Sequence, residues 1–366
     1  MKKILVLLLV IAMVLGITAC KGKEATESET PDPTATVSPS TEPTGTSQPS
    51  ESPSVTTDPT ESPSPSEEPD EGYAFPDPDV RPWAVSIDNQ GEKPFPQGGL
   101  SKAQIVYEIP VEGGVTRYLA LFWNVEVDLI GPVRSARDYM LDVVMPYDGF
   151  LVHVGGSPQV LGEIRNSSEF ETLDAMYNAG SIFEDLTDDP KNWQDTFTTG
   201  EKVSDFLESK SYDLAADTTG AVMEYHEEMV VPDSSMQANM VSITYSDLNR
   251  CAYIYDETRQ LYFRNRDGQA HVDKNDGAPF GVTNIIIQKV TTRKISGDAA
   301  GRIEVDMVDS GTGYYITGGK SIEITWEKTE RFGPTKYYDS EGKEIILNPG
   351  NTWIQITDAQ TAIMIL

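Results

Sequence analysis

Arginine is the residue type whose spacing suggests chemistry in this sequence. Arg117 opens a continuously apolar run, and Arg134 and Arg137 stand close together within residues 131–138. The planar guanidinium binds phosphate or carboxylate through two parallel hydrogen bonds, which a lysine cannot do. These three side chains are therefore candidate ligands for an anionic group.

Two glycine-containing motifs near the arginines could complete a pocket. Glu112 precedes a pair of glycines, which would let the backbone approach a ligand closely. His153 lies near the end of a predicted strand, and Ser157 followed by a proline predicts the start of a helix, whose first amides favour anions. The predicted ligand-binding residues are Glu112, Arg117, Arg134, Arg137, His153 and Ser157, with His153 as the candidate catalytic acid or base.

Internal ion pairing is the alternative explanation of the same arginines. Acidic residues stand close to them in sequence, namely Glu108, Glu112, Asp138 and Asp142, and glycine turns also simply connect strands. The arginines would then stabilise the fold without binding a ligand. The sequence leaves both explanations open.

Other chemistry has weaker support. Three histidines are too few for a histidine-rich metal site, and the sequence has no nucleophile elbow, phosphate-binding loop, zinc-protease motif or CxxC pair. His271 and Asp273 could act as an acid–base pair or as two ligands, or could simply share a strand surface. We therefore expect no metal and no cofactor. Trp326, Trp353 and Cys251 are expected to fill the core.

Residues 1–20 predict a lipoprotein signal peptide. Two lysines precede an apolar run of about 16 residues that ends at Cys20, after small residues that suit a lipoprotein signal peptidase. A transmembrane anchor is the alternative, but the run is shorter than the roughly 20 residues that span a bilayer. Lipid on Cys20 would hold the protein on the extracytoplasmic face of the cell membrane. Cys251 would then have no cysteine partner, so no intramolecular disulfide could form.

Residues 21–79 form a predicted linker that is rich in Pro, Ser, Thr and Glu. This composition cannot bury enough apolar surface to fold, so we expect the linker to be disordered and extended. The net charge of the chain is −30; the first 79 residues hold four lysines and 14 acidic residues, which leaves −20 on the remainder. A body this acidic repels nucleic acid and anionic polymers, so no nucleic-acid partner is expected.

The remaining residues predict an α+β protein with two domains. Residues 80–230 alternate strand and helix patterns and predict an N-terminal mixed α/β domain, in which residues 198–201 resemble a capping box. Residues 231–366 contain short strands between glycine-rich turns and predict a mostly-β C-terminal domain. A helix is predicted at residues 135–144, and strands at residues 83–88, 105–109, 117–123, 150–154, 252–255, 261–264, 284–290, 302–308, 314–316, 321–326, 336–338, 344–347 and 352–357.

Several of these stretches resemble the YerB-like lipoprotein family. The similarity runs from about residue 80 to the end, and its most specific part is the Arg-Ser-Ala-Arg block at residues 134–137. The resemblance implies two adjoining domains of unknown function behind a lipidated cysteine and a linker, and it implies no catalytic residues. Other matching stretches are residues 81–82, 87–89, 99–103, 106–108, 112–117, 131–133, 153–157, 271–273, 284–286, 311–313, 324–328 and 349–354.

Two classes of function are compatible with these features. The first is a non-enzymatic envelope factor, which would bind a cell-wall component through an arginine-lined anion or glycan pocket, or would bind another envelope protein. The second is a cell-envelope hydrolase or transferase that uses His153 with Arg117, Arg134 and Arg137 on an anionic substrate. The first is favoured, because no nucleophile or metal set accompanies the arginines.

Overall fold

The computed structural model describes residues 73–216 and 222–366. The predicted signal peptide, the predicted lipidation site Cys20 and residues 21–72 of the predicted linker lie outside the described residues. Among the described residues, no helix is both long and apolar enough to cross a membrane. Tyr73 and Phe75 contact each other and the ring of Tyr225. The packed part of the chain therefore includes residues 73–79, which the sequence placed at the end of the linker.

The first half of the described chain combines seven strands with three helices. The strands are β1 (Trp83–Asp88), β2 (Ile105–Pro110), β3 (Thr116–Phe122), β4 (Phe150–His153), β5 (Thr172–Asp174), β6 (Glu184–Asp185) and β7 (Thr196–Phe197). The helices are α1 (Asp138–Val144), α2 (Pro158–Asn166) and α3 (Gly200–Ser209). Short 3-10 turns occur at Leu100–Lys102, Glu112–Gly114, Met145–Tyr147 and Gly180–Ile182.

The second half adds thirteen strands and no α-helix within the described residues. These strands are β8 (Met240–Ser246), β9 (Asn249–Asp256), β10 (Leu261–Arg266), β11 (Gln269–Ala270), β12 (Gly281–Val282), β13 (Asn284–Lys289), β14 (Thr292–Lys294), β15 (Ile303–Val305), β16 (Ser310–Thr317), β17 (Lys320–Glu327), β18 (Lys336–Tyr338), β19 (Thr352–Thr357) and β20 (Ala362–Ile365). The described chain is sheet-rich, which fits the expected α+β class.

Ten strands from both halves form one large sheet, in the order β18-β17-β16-β13-β19-β2-β3-β1-β4-β5. β2 of the first half pairs in parallel with β19 of the second, and Val106 lies opposite Trp353. The pairs β13–β19, β1–β4 and β4–β5 are also parallel, whereas β3 runs antiparallel between β2 and β1. Backbone hydrogen bonds of the large sheet therefore join the two halves, and all described residues belong to one compact unit.

Both faces of the large sheet are buried along its central strands, whereas β17 at one side exposes alternate residues. One face packs against α3 and a second, smaller sheet with the order β11-β10-β9-β8-β20. The other face packs against α1 and α2. Because side chains alternate along a strand, Val85 points into the first core and Ala84 into the second. Burial on both sides also explains why β3 is almost continuously apolar.

A buried polar network joins the two sheets. The guanidinium of Arg264 on β10 lies 2.6 Å from the carboxylate of Glu108 on β2, and both side chains are fully buried. Arg264 also donates to Nδ1 of His271, whose Nε2 lies 2.8 Å from Oε1 of Gln97. Burial, together with the charges of Arg264 and Arg266, holds the pKa of His271 well below its ordinary value. The ring is therefore neutral, with its proton on Nε2.

Asp273 has different partners from His271, although the two stand close in sequence. Its buried carboxylate accepts hydrogen bonds from the amides of Gly99 and Ser101, each at 3.0 Å. These bonds fasten the second half of the chain to the turn that precedes β2. The contacts of His271 and Asp273 therefore support the fold.

The predicted elements agree with the structure in part. The strands predicted at 83–88, 336–338 and 352–357 have the observed bounds, whereas residues 344–347 form only isolated bridges within the described structure. The helix predicted at 135–144 begins later, at Asp138. The N-cap of α3 is Thr199, whose hydroxyl accepts from the amide of Lys202 at 3.0 Å, so the capping box expected at 198–201 is not formed.

Candidate functional site

The carboxyl ends of three parallel strands lie together at one edge of the large sheet. The neighbours β1, β4 and β5 end at Asp88, His153 and Asp174. Because β3 runs the opposite way, its first residues lie at the same edge, and Arg117 is the register partner of Asp88. Ligands of open sheets that contain helices commonly bind outside the carboxyl ends of the strands. We call this the carboxyl edge.

An extended segment, residues 134–136, crosses the carboxyl edge. The amide of Arg134 donates to a carbonyl of β1 at 2.7 Å, and the amide of Val154, just after β4, donates to the carbonyl of Arg134 at 3.1 Å. The predicted motifs at 131–138 and 153–158 are thereby placed side by side. The same segment brings Arg134 and Arg137 close to Arg117.

Arg117 is the most buried of the three arginines. Only 3% of its surface is exposed. Nη1 donates to the carbonyl of Ser135, whereas the buried Nε has no hydrogen-bond partner among the described residues. Burial, together with the like charge of Arg137, lowers the pKa of Arg117 to about 10. Arg117 therefore carries a positive charge at neutral pH in surroundings that do not fully stabilise it.

The other two arginines each face a carboxylate of the protein. Nε of Arg134 lies 3.3 Å from Oδ2 of Asp88, and burial lowers the pKa of Arg134 although Asp88 opposes this effect. Nε of Arg137 donates to Oε2 of Glu112 at 3.0 Å, and a second bond joins Nη2 to Oε1. Burial alone would raise the pKa of Glu112, but the hydrogen bonds and charge of Arg137 lower it below its ordinary value.

Among the described residues, Arg134 and Arg137 have ion-pair partners and Arg117 has none, although the carboxylate of Asp174 also lies at the carboxyl edge. We call Arg117, Arg134, Arg137, Asp88 and Glu112 the arginine cluster. It contains three guanidinium groups and two carboxylates, so ion pairing accounts for two of the arginines and leaves one positive charge over. A bound anion would supply the missing negative charge.

His153 lies beside the arginine cluster but has other polar contacts. Its side chain is fully buried, and Nδ1 lies 2.7 Å from the carbonyl of Gly155 and 3.9 Å from Oδ1 of Asp174. Burial lowers the pKa of His153, although Asp174 opposes this effect. Nε2 is buried and has no hydrogen-bond partner among the described residues. The neutral ring therefore donates from Nδ1 to Gly155 and does not reach the surface.

Ser157 caps α2, as its position before Pro158 predicted. Its hydroxyl accepts from the amide of Val160 at 3.3 Å. The amide of Ser157 itself donates to the carbonyl of Ala136 at 3.1 Å. This amide is consequently not free to bind an anion, in contrast to the expectation from the sequence.

Two cavities lie near the ends of the central strands. One, of about 410 Å³, lies beyond the ends of β2, β13 and β19, and its wall includes Gly113 and Gly114, which adopt φ angles of 78° and 77°, but no residue of the arginine cluster. Arg293 lines the same cavity but is paired with Asp306. The other cavity, of about 760 Å³, lies at the opposite edge of the sheet. It is lined by three carboxylates and one lysine (Glu126, Asp128, Asp276 and Lys102), which disfavours an anionic ligand there.

Three residues of the carboxyl edge were not predicted from the sequence. Asp88 neutralises Arg134, the ring of Trp193 lies 4.1 Å from the guanidinium carbon of Arg134, and Gln194 donates to Asp88 at 2.8 Å. Asp88 follows a buried strand, a position that could have suggested it. No group of three or more His, Cys, Asp and Glu side chains is placed to hold a metal ion in the part of the chain that the structure describes.

Comparisons with known proteins identify the family. Residues 73–213 match the family "Protein of unknown function (DUF3048) N-terminal domain", and residues 241–354 match its C-terminal domain. The chain is 31% identical over 279 residues to "Putative lipoprotein YerB" of Bacillus subtilis (strain 168), which covers 75% of this chain and 81% of that protein. A crystal structure of the YerB protein from Bacillus subtilis has a TM-score of 0.68 at 28% identity, and the match covers 78% of this chain and 94% of that one. The chain therefore belongs to the YerB-like family of two-domain proteins.

Proposed function

We propose that this protein is a lipid-anchored, extracytoplasmic binding factor without catalytic activity, and that its arginine cluster holds an anionic group of a cell-envelope component. The observation that carries the proposal is the surplus guanidinium. Arg117 is almost completely buried, and its Nε has no hydrogen-bond partner among the described residues. Taking a charge out of water is costly unless an opposite charge compensates for it. A phosphate or carboxylate bound to the partly exposed Arg134 would provide that compensation from beside Arg117.

The geometry of His153 supports a binding factor over an enzyme. A general acid or base must come within hydrogen-bond reach of the substrate. The ring of His153 is fully buried and donates to a backbone carbonyl, and its contacts are with Gly155 and Asp174 and not with the arginines. A hydrolase or transferase that uses His153 would have to open the chain around β4 before substrate could reach the ring.

The proposed anchor rests on Cys20 and on the printed name of the Bacillus subtilis relative, which calls that protein a lipoprotein. Tyr73, the first described residue, lines the cavity at the opposite edge of the sheet from the arginine cluster. This placement leaves the cluster free to face away from the point where the tether joins the folded part.

A Cys20→Ser variant should move from the detergent phase to the aqueous phase of a detergent extraction; an unchanged distribution would contradict the anchor.

Phosphate-dependent thermal stabilisation tests the anion site. We expect phosphate at about ten times its Kd to raise the Tm of the full chain by about 2–4 °C, because it binds only the folded state. The variant Arg134→Ala/Arg137→Ala should fold but lose this increase. Arg259→Ala is the matched control, since Arg259 is an exposed arginine paired with Asp256 far from the cluster.

Two results would count against the site. One is that phosphate or sulfate, at every concentration, raises the Tm of the unmodified chain no more than it raises the Tm of the Arg134→Ala/Arg137→Ala variant. The other is complete unfolding of the double variant together with an unchanged phosphate response in the single variant Arg134→Ala. That pattern would show that the arginines only pair with Asp88 and Glu112.

A further inference from the structure

One exposed tryptophan stands directly at the arginine cluster. The other four tryptophans of the chain are buried, whereas Trp193 is 49% exposed. Its ring packs against the guanidinium of Arg134, whose central carbon is 4.1 Å from the ring centroid. The neighbouring Gln194 donates to Oδ2 of Asp88 and to the carbonyl of Gln90, both at 2.8 Å. The loop that carries Trp193 is thus fastened to the end of β1, and the ring has a defined position.

Two further large side chains are exposed at the same edge. Met176 is 75% exposed and Tyr177 is 88% exposed, in the turn that follows β5. The turn is held in place because the amides of Gly155 and Met176 both donate to Oδ1 of Asp174, at 2.8 and 2.9 Å. Exposed aromatic side chains on ordered turns beside a charged site are typical of ligand-binding surfaces.

We infer that the ligand of the arginine cluster is an acidic sugar, whose phosphate or carboxylate binds Arg134 beside the buried Arg117 and whose ring packs on Trp193. This inference rests on the proposed function and adds the class of ligand. A sugar ring presents a face of C–H groups that packs on an indole, and its hydroxyl groups need polar partners at the rim. Arg134, whose side chain is 21% exposed, is the polar partner beside the ring.

The surroundings of Trp193 favour a sugar over a protein partner. The guanidinium of Arg134 lies against the ring of Trp193, so the exposed indole borders a charged group. The charge of the molecule also limits the size of the ligand. Residues 80–366 carry a net charge of −20, derived from the total of −30, which repels a long polyanion but not a single charged sugar placed on a local positive site.

Isothermal titration of the full chain in detergent tests this inference. The probes are inorganic phosphate, glucose, glucose 1-phosphate and glucuronate. We expect glucose 1-phosphate or glucuronate to bind about tenfold more tightly than inorganic phosphate, and glucose to bind far more weakly than either acidic sugar. Trp193→Ala should remove the tenfold preference and keep phosphate binding, whereas Trp193→Phe should retain most of the preference.

Phe332→Ala is the matched control. Phe332 is 40% exposed and also lies under an arginine, Arg331, but that arginine is paired with both Asp142 and Glu163. Its removal should leave all four affinities unchanged.

The other possible outcomes distinguish failure of the sugar inference from failure of the anion site. If phosphate and the acidic sugars bind equally tightly, the sugar inference is wrong and the anion site stands. If none of the three anions binds, both proposals are wrong. If Trp193→Ala weakens phosphate and acidic sugar by the same factor, Trp193 only positions Arg134, and the inference is again wrong. Tighter binding of glucuronate than of glucose 1-phosphate would identify a carboxylate as the acidic group.

Discussion

Buried charges in this protein occur in two arrangements with different consequences. Glu108 and Arg264 compensate each other, and the remaining polar atoms of Arg264 contact His271 and Tyr253. In the arginine cluster, by contrast, burial and the charges of two other guanidinium groups lower the pKa of Arg117, and Asp88 offsets only part of this effect. A closed network is expected of a structural element, whereas an uncompensated charge at a sheet edge is expected of a binding site.

The two buried histidines predict how stability depends on pH. The pKa values of His153 and His271 are lowered in the folded state, in both cases mainly by burial. Below about pH 6.5 the unfolded chain binds protons that the folded chain does not, so the free energy of unfolding should fall as the pH falls, by up to about 1.4 kcal/mol per pH unit for each histidine. Urea unfolding between pH 7 and 5.5 measures the slope of the free energy of unfolding against pH.

Substitution shows whether these histidines cause the slope. His271→Gln and His153→Gln should each reduce it, and His226→Gln, at a partly exposed position, is the control. A slope that stays the same in both variants at the buried positions would show that the histidines are not responsible.

At the scale of the elements, the turn into β19 depends on a glycine. Gly350 has a φ of 139°, and a Cβ at this position would overlap the hydroxyl of Thr283. Gly350→Ala should therefore lower the free energy of unfolding by roughly 2–4 kcal/mol, because backbone strain and overpacking add. Gly162→Ala is the contrasting variant: Gly162 is inside α2 with open space around it, so alanine should stabilise the protein by about 0.5–1 kcal/mol. Equal stability of the two variants in urea would disprove this account of the turn.

The sequence predicts elements well where a local pattern defines them. Apolar runs bounded by turn residues located β1 and β19, and the Ser-Pro pair located the start of α2. The local sequence pattern was insufficient where contacts between residues far apart in the sequence determine the structure. β8 and β20 are half-exposed strands that were not predicted, and the pairing of β2 with β19 has no local signature. The same holds for the candidate site. The sequence named the three arginines that the structure brings together, but the position of Trp193 and the hydrogen bond of the Ser157 amide follow from packing between distant segments.

At the scale of the whole molecule, the two family domains share their interior. The core on one face of the large sheet contains Val85 and Tyr118 of the first half with Tyr253 and Trp353 of the second. The ion pair between Glu108 and Arg264 also crosses between the halves. Neither half can therefore keep its native surroundings without the other.

Separation of the halves is the experiment that tests this dependence. A chain that ends at residue 230 would expose the edge of β2, whose side chains are buried in the intact protein, and would leave the carboxylate of Glu108 without Arg264. An exposed apolar strand edge promotes aggregation, and a buried charge without its partner costs about 3–5 kcal/mol. We expect residues 21–230 expressed alone to be insoluble or unfolded by circular dichroism. Co-expression with residues 231–366 should restore a soluble complex, since β2 and β19 can then pair. A soluble, monomeric 21–230 fragment that unfolds cooperatively would show that the shared sheet is not needed for the first half to fold.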